Sequence, residues 1–270
     1  MKLAGSTAVV SGASRGIGAA TARALAHAGA RVALLARSEG VDAVAAEIVA
    51  GGGQAVAYRV DLTVPSVVQV VAHEITAQLG TPDILVNNAG AGRFLAIEET
   101  SSEDAVAQMA SPYFAAFHVT RAFIPALLAR GSGRIVNLTS PPAFIPWAGA
   151  TGYSTARWAM RGFTASLRAD LYGTGIGVML VLPGKVASTY FEHNPGSEDR
   201  IPRIAALIPT LTPEAVADAI VDGLRRDRRE VVVPAALWLL LRLHALVPWP
   251  VEALMLRTGW QRGETRQGGR

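Results

Sequence analysis

Ser140, Tyr153 and Arg157 are the residues whose types and order most directly suggest chemistry. Ser140 closes an apolar run, Arg134 to Leu138, that reads as a buried strand, and Tyr153 opens a helix-length segment thirteen residues later. Arg157 follows four residues after Tyr153, so on a helix the two side chains share one face. A guanidinium in that place favours the phenolate, and a phenol tuned in this way exchanges protons near neutral pH. A Tyr and an Arg one turn apart are more often a solvated surface pair. The hydroxyl of Ser140 at a fixed spacing is what makes the pair a candidate site.

Such a trio needs a scaffold, and the segments before it read as alternating strands and helices. Thr7 to Val10 is a short β-branched and apolar run, followed by a turn containing Gly12, Ser14, Arg15, Gly16, Ile17 and Gly18, then by an Ala-rich helical segment to Ala28. That order suits a phosphate. Glycines let the backbone turn tightly and approach a pyrophosphate, whose charge meets the free N–H groups of the helix N-terminus. Arg31 to Ala36 reads as a second strand ending in Arg37, where a dinucleotide-binding fold places the residue that meets the adenosine ribose. An acid there would accept from a free 2′-hydroxyl, whereas Arg37 and Arg15 offer two cations to a 2′-phosphate. The pattern favours NADP(H) over NAD(H), against the plainer reading of two solvated arginines. Val41 to Ala50 reads as a helix, Ala55 to Val60 as a third strand ending at Asp61, and Val67 to Leu79 as a helix. Ile84 to Val86 then leads into Asn87, Asn88, Ala89 and Gly90. Strands alternating with helices imply a parallel sheet covered on both faces.

The glycine spacing Gly-x-x-x-Gly-x-Gly at Gly12 to Gly18, the Asn-Asn-Ala-Gly quartet and the Ser140–Tyr153 spacing occur in the order of the short-chain dehydrogenase/reductase family, which the chain resembles from about Leu3 to Val233. The resemblance implies an α/β fold, a Rossmann-like doubly wound parallel sheet of about seven strands. It also implies a nicotinamide-dependent oxidoreductase interconverting a carbonyl and an alcohol, with Tyr153 as acid/base, Ser140 polarising the substrate oxygen and Arg157 on the nicotinamide ribose. Asp61 and Leu62 match the family's adenine contact, and Asn88, Ala89 and Gly90 lie beside the adenosine. Pro183, Gly184, Val186 and Ser188 match its turn beside the nicotinamide. Two positions depart from the family pattern: Arg157 stands where the family has Lys, and Pro112 stands where it has a mid-helix Asn. Pro112 is expected to kink one long helix from Glu103 to Ala129 and free the carbonyl of Gln108 to hold water. The rival reading is a protein that keeps the fold and the cofactor as a sensor or scaffold while its chemistry has decayed.

At 270 residues, with no linker-like stretch, the chain reads as one dinucleotide-binding domain, residues 1–270. Its hydrophobic fraction is 50%, with 27 glycines besides, which suggests an oligomer or a membrane contact; a homodimer or homotetramer is expected, acting on an apolar small-molecule substrate. The absence of Cys excludes disulfides and thiolate metal sites, and the five His show no ligand spacing, so no metal is implied. The net charge of +4 is spread along the chain, with Lys2 and Lys185 the lone lysines, a poor footprint for nucleic acid. No secretory pattern opens the chain, which points to a cytoplasmic location. From Tyr190 to Leu211 no period is sustained, and two aromatics and two prolines suggest a lid over a substrate pocket. Residues 234–270 form an apolar C-terminal helical extension, split by Pro248 and Pro250 and too short to span a bilayer. Packing on a partner subunit or over the pocket is preferred there to an amphipathic membrane-surface role beside the run Arg225, Arg226, Arg228 and Arg229.

Overall fold

The computed structural model describes residues 1–263. Seven parallel strands form one sheet: β1 (Thr7–Ser11), β2 (Arg31–Ala36), β3 (Gln54–Arg59), β4 (Ile84–Asn87), β5 (Gly133–Leu138), β6 (Ile176–Pro183) and β7 (Glu230–Val233). Their order across the sheet is β3-β2-β1-β4-β5-β6-β7, so the direction of winding reverses between β1 and β4. Val9 of β1 stands opposite Ala33 of β2 and Leu85 of β4. The strands are almost continuously apolar because both faces are covered. Val10 and Ala8 pack into the core beneath one layer of helices, and Val9 into the core beneath the other.

Helices α1 (Gly16–His27), α2 (Gly40–Ala50) and α7 (Pro213–Arg225) cover the first face, and α3 (Pro65–Leu79), α5 (Ala115–Arg130) and α6 (Thr151–Asp170) the second. The sheet is stitched to the second layer by buried polar side chains. The amide of Asn87 donates to Thr120 Oγ1 at 3.0 Å and to Asn137 Oδ1 at 2.8 Å, and Asn137 donates to Thr164 Oγ1 at 3.0 Å. Buried amide donors paired in this way fix one arrangement, because any other would leave them without partners, although Asn87 Oδ1 itself has no partner among the described residues.

The expected long helix from Glu103 to Ala129 is instead two helices. Helix α4 (Ser102–Met109) ends in a wide turn, Ala110–Phe114, before α5 begins. The break falls at Ser111, which is extended at φ −138° and ψ 102°. A proline crowds the residue before it out of the helical region, so Pro112 acts through Ser111 more than through its own missing N–H. The Ser111 carbonyl accepts from Ala91 N–H at 3.3 Å, tying the turn to the loop after β4.

Beyond β7 the chain forms α8 (Ala235–Leu246) and α9 (Pro248–Thr258), parted at Val247. Residues 264–270 of the expected extension lie outside the described residues. Leu237, Leu240, Val251 and Met255 turn inward, whereas Leu246 and Trp249 at the tip are more than four-fifths exposed. The arginine run 225–229 joins the end of α7 to β7, a strand's length from these helices, with Arg226 and Arg228 engaged by Asp222. Among the described residues no helix is long and apolar enough to cross a membrane.

Candidate active site

The C-terminal ends of the strands carry the site. Gly12 follows β1, Arg37 follows β2, Asn88 follows β4, Ser140 lies two residues past β5 and Gly184 follows β6. In open parallel sheets the crevice at the winding reversal is where ligands sit, and here these positions open onto one cavity of about 560 Å³. Gly12, Ser14, Arg15, Gly16, Ile17, Arg37, Asp61, Leu62, Asn88, Ala89 and Gly90 line one part, and Ser140, Tyr153, Arg157, Pro183, Gly184, Val186 and Ser188 the adjoining part. Gly18 does not face the cavity. A Cβ there would fall 2.2 Å from the Gly12 carbonyl oxygen, so Gly18 lets α1 pack onto the glycine turn.

The glycine turn is shaped for close approach. Gly12 has φ +66°, and a Cβ would fall 2.8 Å from Ala89 Cα. Asn88 braces the turn, its amide donating to the carbonyls of Ser11 and Gly12 at 3.0 and 3.2 Å. Over Gly16 the space is open, the nearest atom to a Cβ being Ser188 Cβ at 3.8 Å. A turn lining the cavity at the head of α1, with no side chain capping the first N–H groups of the helix, fits the pyrophosphate of a dinucleotide.

The two cations expected to grip a 2′-phosphate are present and partly engaged. Arg37 is exposed and lies 3.8 Å from Asp61, whose carboxylate accepts from Thr63 N–H and Oγ1. Those Thr63 hydrogen bonds, and then Arg37, hold the Asp61 carboxyl below the usual range. Arg15 donates to His193 Nε2 at 2.7 Å, and His193 Nδ1 is 2.7 Å from the Thr189 carbonyl. The lid therefore reaches back to the glycine turn.

Helix α6 presents Tyr153 and Arg157 on one face, and both are buried. The Arg157 guanidinium lies over the Tyr153 ring, its Cζ 4.9 Å from the centroid. It also packs against Gly90 so closely that a Cβ there would be 2.8 Å from an Arg157 nitrogen. The register of this helix is held from β5, because Thr139 Oγ1 donates to the Arg157 carbonyl at 2.9 Å. Arg157 Nε has no hydrogen-bond partner among the described residues. A buried cation with an unspent donor fits the ribose hydroxyls of a nicotinamide nucleotide.

Gln108 does not line the cavity: it is buried at the end of α4, its amide 3.0 Å from where a Cβ on Gly152 would lie, and its Oε1 has no partner among the described residues. Several residues that do line the cavity carried no motif. Phe94 packs against Tyr153 at 4.6 Å between centroids with the ring planes tilted by 49°, and Trp147, Ile145, Ile201, Leu237 and Met255 extend the apolar wall. The lid, roughly residues 188–211, is pinned across the site: Tyr190 Oη donates to the Gly92 carbonyl at 2.5 Å and Phe94 N–H to Ser197 Oγ at 2.9 Å. Further out Lys185 pairs with Glu198, and Arg200 with Glu99.

Residues 6–199 match the family model described as short chain dehydrogenase. The chain is 32% identical over 236 residues to the ketoacyl reductase HetN of Nostoc, covering 86% of this chain and 79% of that protein. It is 36% identical over 233 residues to the 1-deoxy-11-beta-hydroxypentalenate dehydrogenase of Streptomyces avermitilis, covering 84% of each. Among solved structures, a putative NAD(P) dependent gluconate 5-dehydrogenase from Beutenbergia cavernae with bound NADP superposes with a TM-score of 0.77 at 34% identity. That match covers 88% of this chain and 98% of the other. The chain belongs to the short-chain dehydrogenase/reductase family of NAD(P)-dependent oxidoreductases.

Proposed function

We propose that the protein uses NADP(H) to interconvert a carbonyl and an alcohol on an apolar substrate. The observation that carries this reading is the convergence of Ser140, Tyr153 and Arg157 on one cavity that joins a glycine turn to an apolar wall. When bound, the nicotinamide supplies or accepts the hydride. Tyr153 exchanges the proton with the substrate oxygen, Ser140 donates to that oxygen and orients it, and Arg157 holds the ribose. Gly12, Ser14, Gly16 and Ile17 cradle the pyrophosphate, Arg15 and Arg37 the 2′-phosphate, and Asp61, Leu62, Asn88, Ala89 and Gly90 the adenosine. Pro183, Gly184, Val186 and Ser188 flank the nicotinamide. The NADP bound by the Beutenbergia neighbour supports the cofactor preference, and relatives named for ketoacyl reduction and for dehydrogenation of a hydroxy compound support the reaction class. The apolar wall from the lid, α8 and α9 supports an apolar substrate.

Single-turnover hydride transfer, read as loss of NADPH absorbance with ketones of graded size, tests the reading. The wild type is expected to oxidise NADPH in preference to NADH, and Tyr153→Phe to abolish the reaction. Full activity in Tyr153→Phe would remove the acid/base assignment. Tight NADPH binding with no transfer across the panel would make the protein a cofactor-binding sensor or scaffold.

A further inference from the structure

The lid brings a second phenol to the first. Tyr190 packs with Phe94, Ala150 and Tyr153 in one cluster, and its hydroxyl is held by the Gly92 carbonyl. Gly92 itself lies against Tyr153, for a Cβ there would fall 3.0 Å from the ring. The Tyr190 backbone is fixed as well, its carbonyl accepting from Asn194 Nδ2 at 2.8 Å. Burial first, and the neighbouring Tyr153 second, push the Tyr190 phenol above the usual tyrosine range, while Arg157 pulls the other way. Tyr190 therefore stays a neutral hydroxyl, with one proton to donate and lone pairs with which to accept.

Arg157 explains why such a group matters. A guanidinium stabilises negative charge but does not release a proton, and this one lies over the ring of Tyr153. Once Tyr153 has given up its proton, its oxygen needs a hydrogen-bond donor. Resting on the reading of Tyr153 as acid/base, we infer that Tyr190 is a positioning residue for Tyr153. It accepts from the neutral phenol and swings its own O–H from the Gly92 carbonyl to the Tyr153 oxygen when that oxygen is ionised. In the reducing direction the Oη–H bond of Tyr153 breaks and an O–H bond forms on the substrate oxygen. Tyr190 keeps its proton throughout, and water returns one to Tyr153 after the product leaves. Three ionisable groups of the lid are engaged elsewhere: Glu198 with Lys185, His193 with Arg15 and Arg200 with Glu99. Arg157 from α6 is the charge that faces the two phenols, and Gln108 from α4 approaches uncharged.

The test is a pH titration of the NADPH-saturated protein carrying an isotope label on the ζ carbon of its five tyrosines, followed by NMR. Loss of one resonance in Tyr153→Phe identifies Tyr153. In Tyr190→Phe, which keeps the buried ring, the Tyr153 midpoint is expected to move alkaline by about one pH unit, a roughly tenfold loss of preference for the ionised form. The limb of the kcat profile set by Tyr153 is expected to move with it. An unchanged midpoint in Tyr190→Phe would overturn the inference and leave Tyr190 as lid packing alone. Full turnover in Tyr153→Phe would instead remove the acid/base reading and the inference with it, so the two failures are read separately.

Discussion

Arg157 is a buried cation set between an aromatic face and a glycine with one donor unspent, and this combination separates two roles that a lysine would unite. Charge stabilisation survives the exchange; proton release does not. Arg157→Lys is therefore expected to keep or raise turnover, measured with any ketone that the wild type reduces. It is also expected to lower stability by about 1 kcal/mol as stacking on Tyr153 is lost, read from denaturant midpoints. A loss of turnover in Arg157→Lys would show that the guanidinium fork is itself required. At this scale the sequence was legible where function depends on residue type at fixed spacing. Ser140, Tyr153, Arg157, Gly12 and Gly16 all line one cavity. Tyr190 was legible as part of a lid and not as a neighbour of Tyr153, because its contact with Gly92 joins residues 98 apart in the chain.

The lid is an irregular element pinned at several points along its length, and the anchor at Arg200 has a definite pH range. Arg200 donates to Glu99, and with the Ala96 N–H it holds the Glu99 carboxyl at about 2 against an unfolded value of 4.5. A depressed folded value means that the pair contributes fully above pH 4.5 and is lost as the pH falls toward 2. Thermal unfolding of wild type and Glu99→Gln is thus expected to differ at pH 6, with the difference closing through that window. Glu99 is 38% exposed, which limits the gap to about 1 kcal/mol or less. A difference that persists below pH 2 would assign the effect to packing. Elements with a repeating pattern were readable in advance, but α8 and α9 were readable only as helices. A helix apolar on every side gives no sign of which face turns inward. The break before α5 was misplaced for a related reason: Pro112 marks the spot, yet the extended residue is the one before it.

At the scale of the whole molecule, two of the exposed apolar surfaces among the described residues carry aromatic side chains. One is the band of Phe114, Phe117 and Trp158 around α5 and α6, each 40 to 48% exposed. The other is the tip of α8 and α9. Exposed aromatics on a pair of long helices suit a self-complementary contact, and we propose that the first flank joins subunits. Light scattering is expected to give a dimer or tetramer at micromolar concentration and a smaller species for Trp158→Glu. A monomeric wild type would remove the proposal.

The cavity wall contributed by α8 and α9 lies outside the matched stretch, residues 6–199, that contains Ser140, Tyr153 and Arg157. Part of the wall that shapes the cavity is therefore written in a different stretch of the chain from the phenol, the hydroxyl and the glycine turn. Exchanging residues 234–263 for another helical pair would leave the phenol, the hydroxyl and the glycine turn in place while changing what fits between them. New selectivities could be sought by grafting that segment, without disturbing the machinery beneath it.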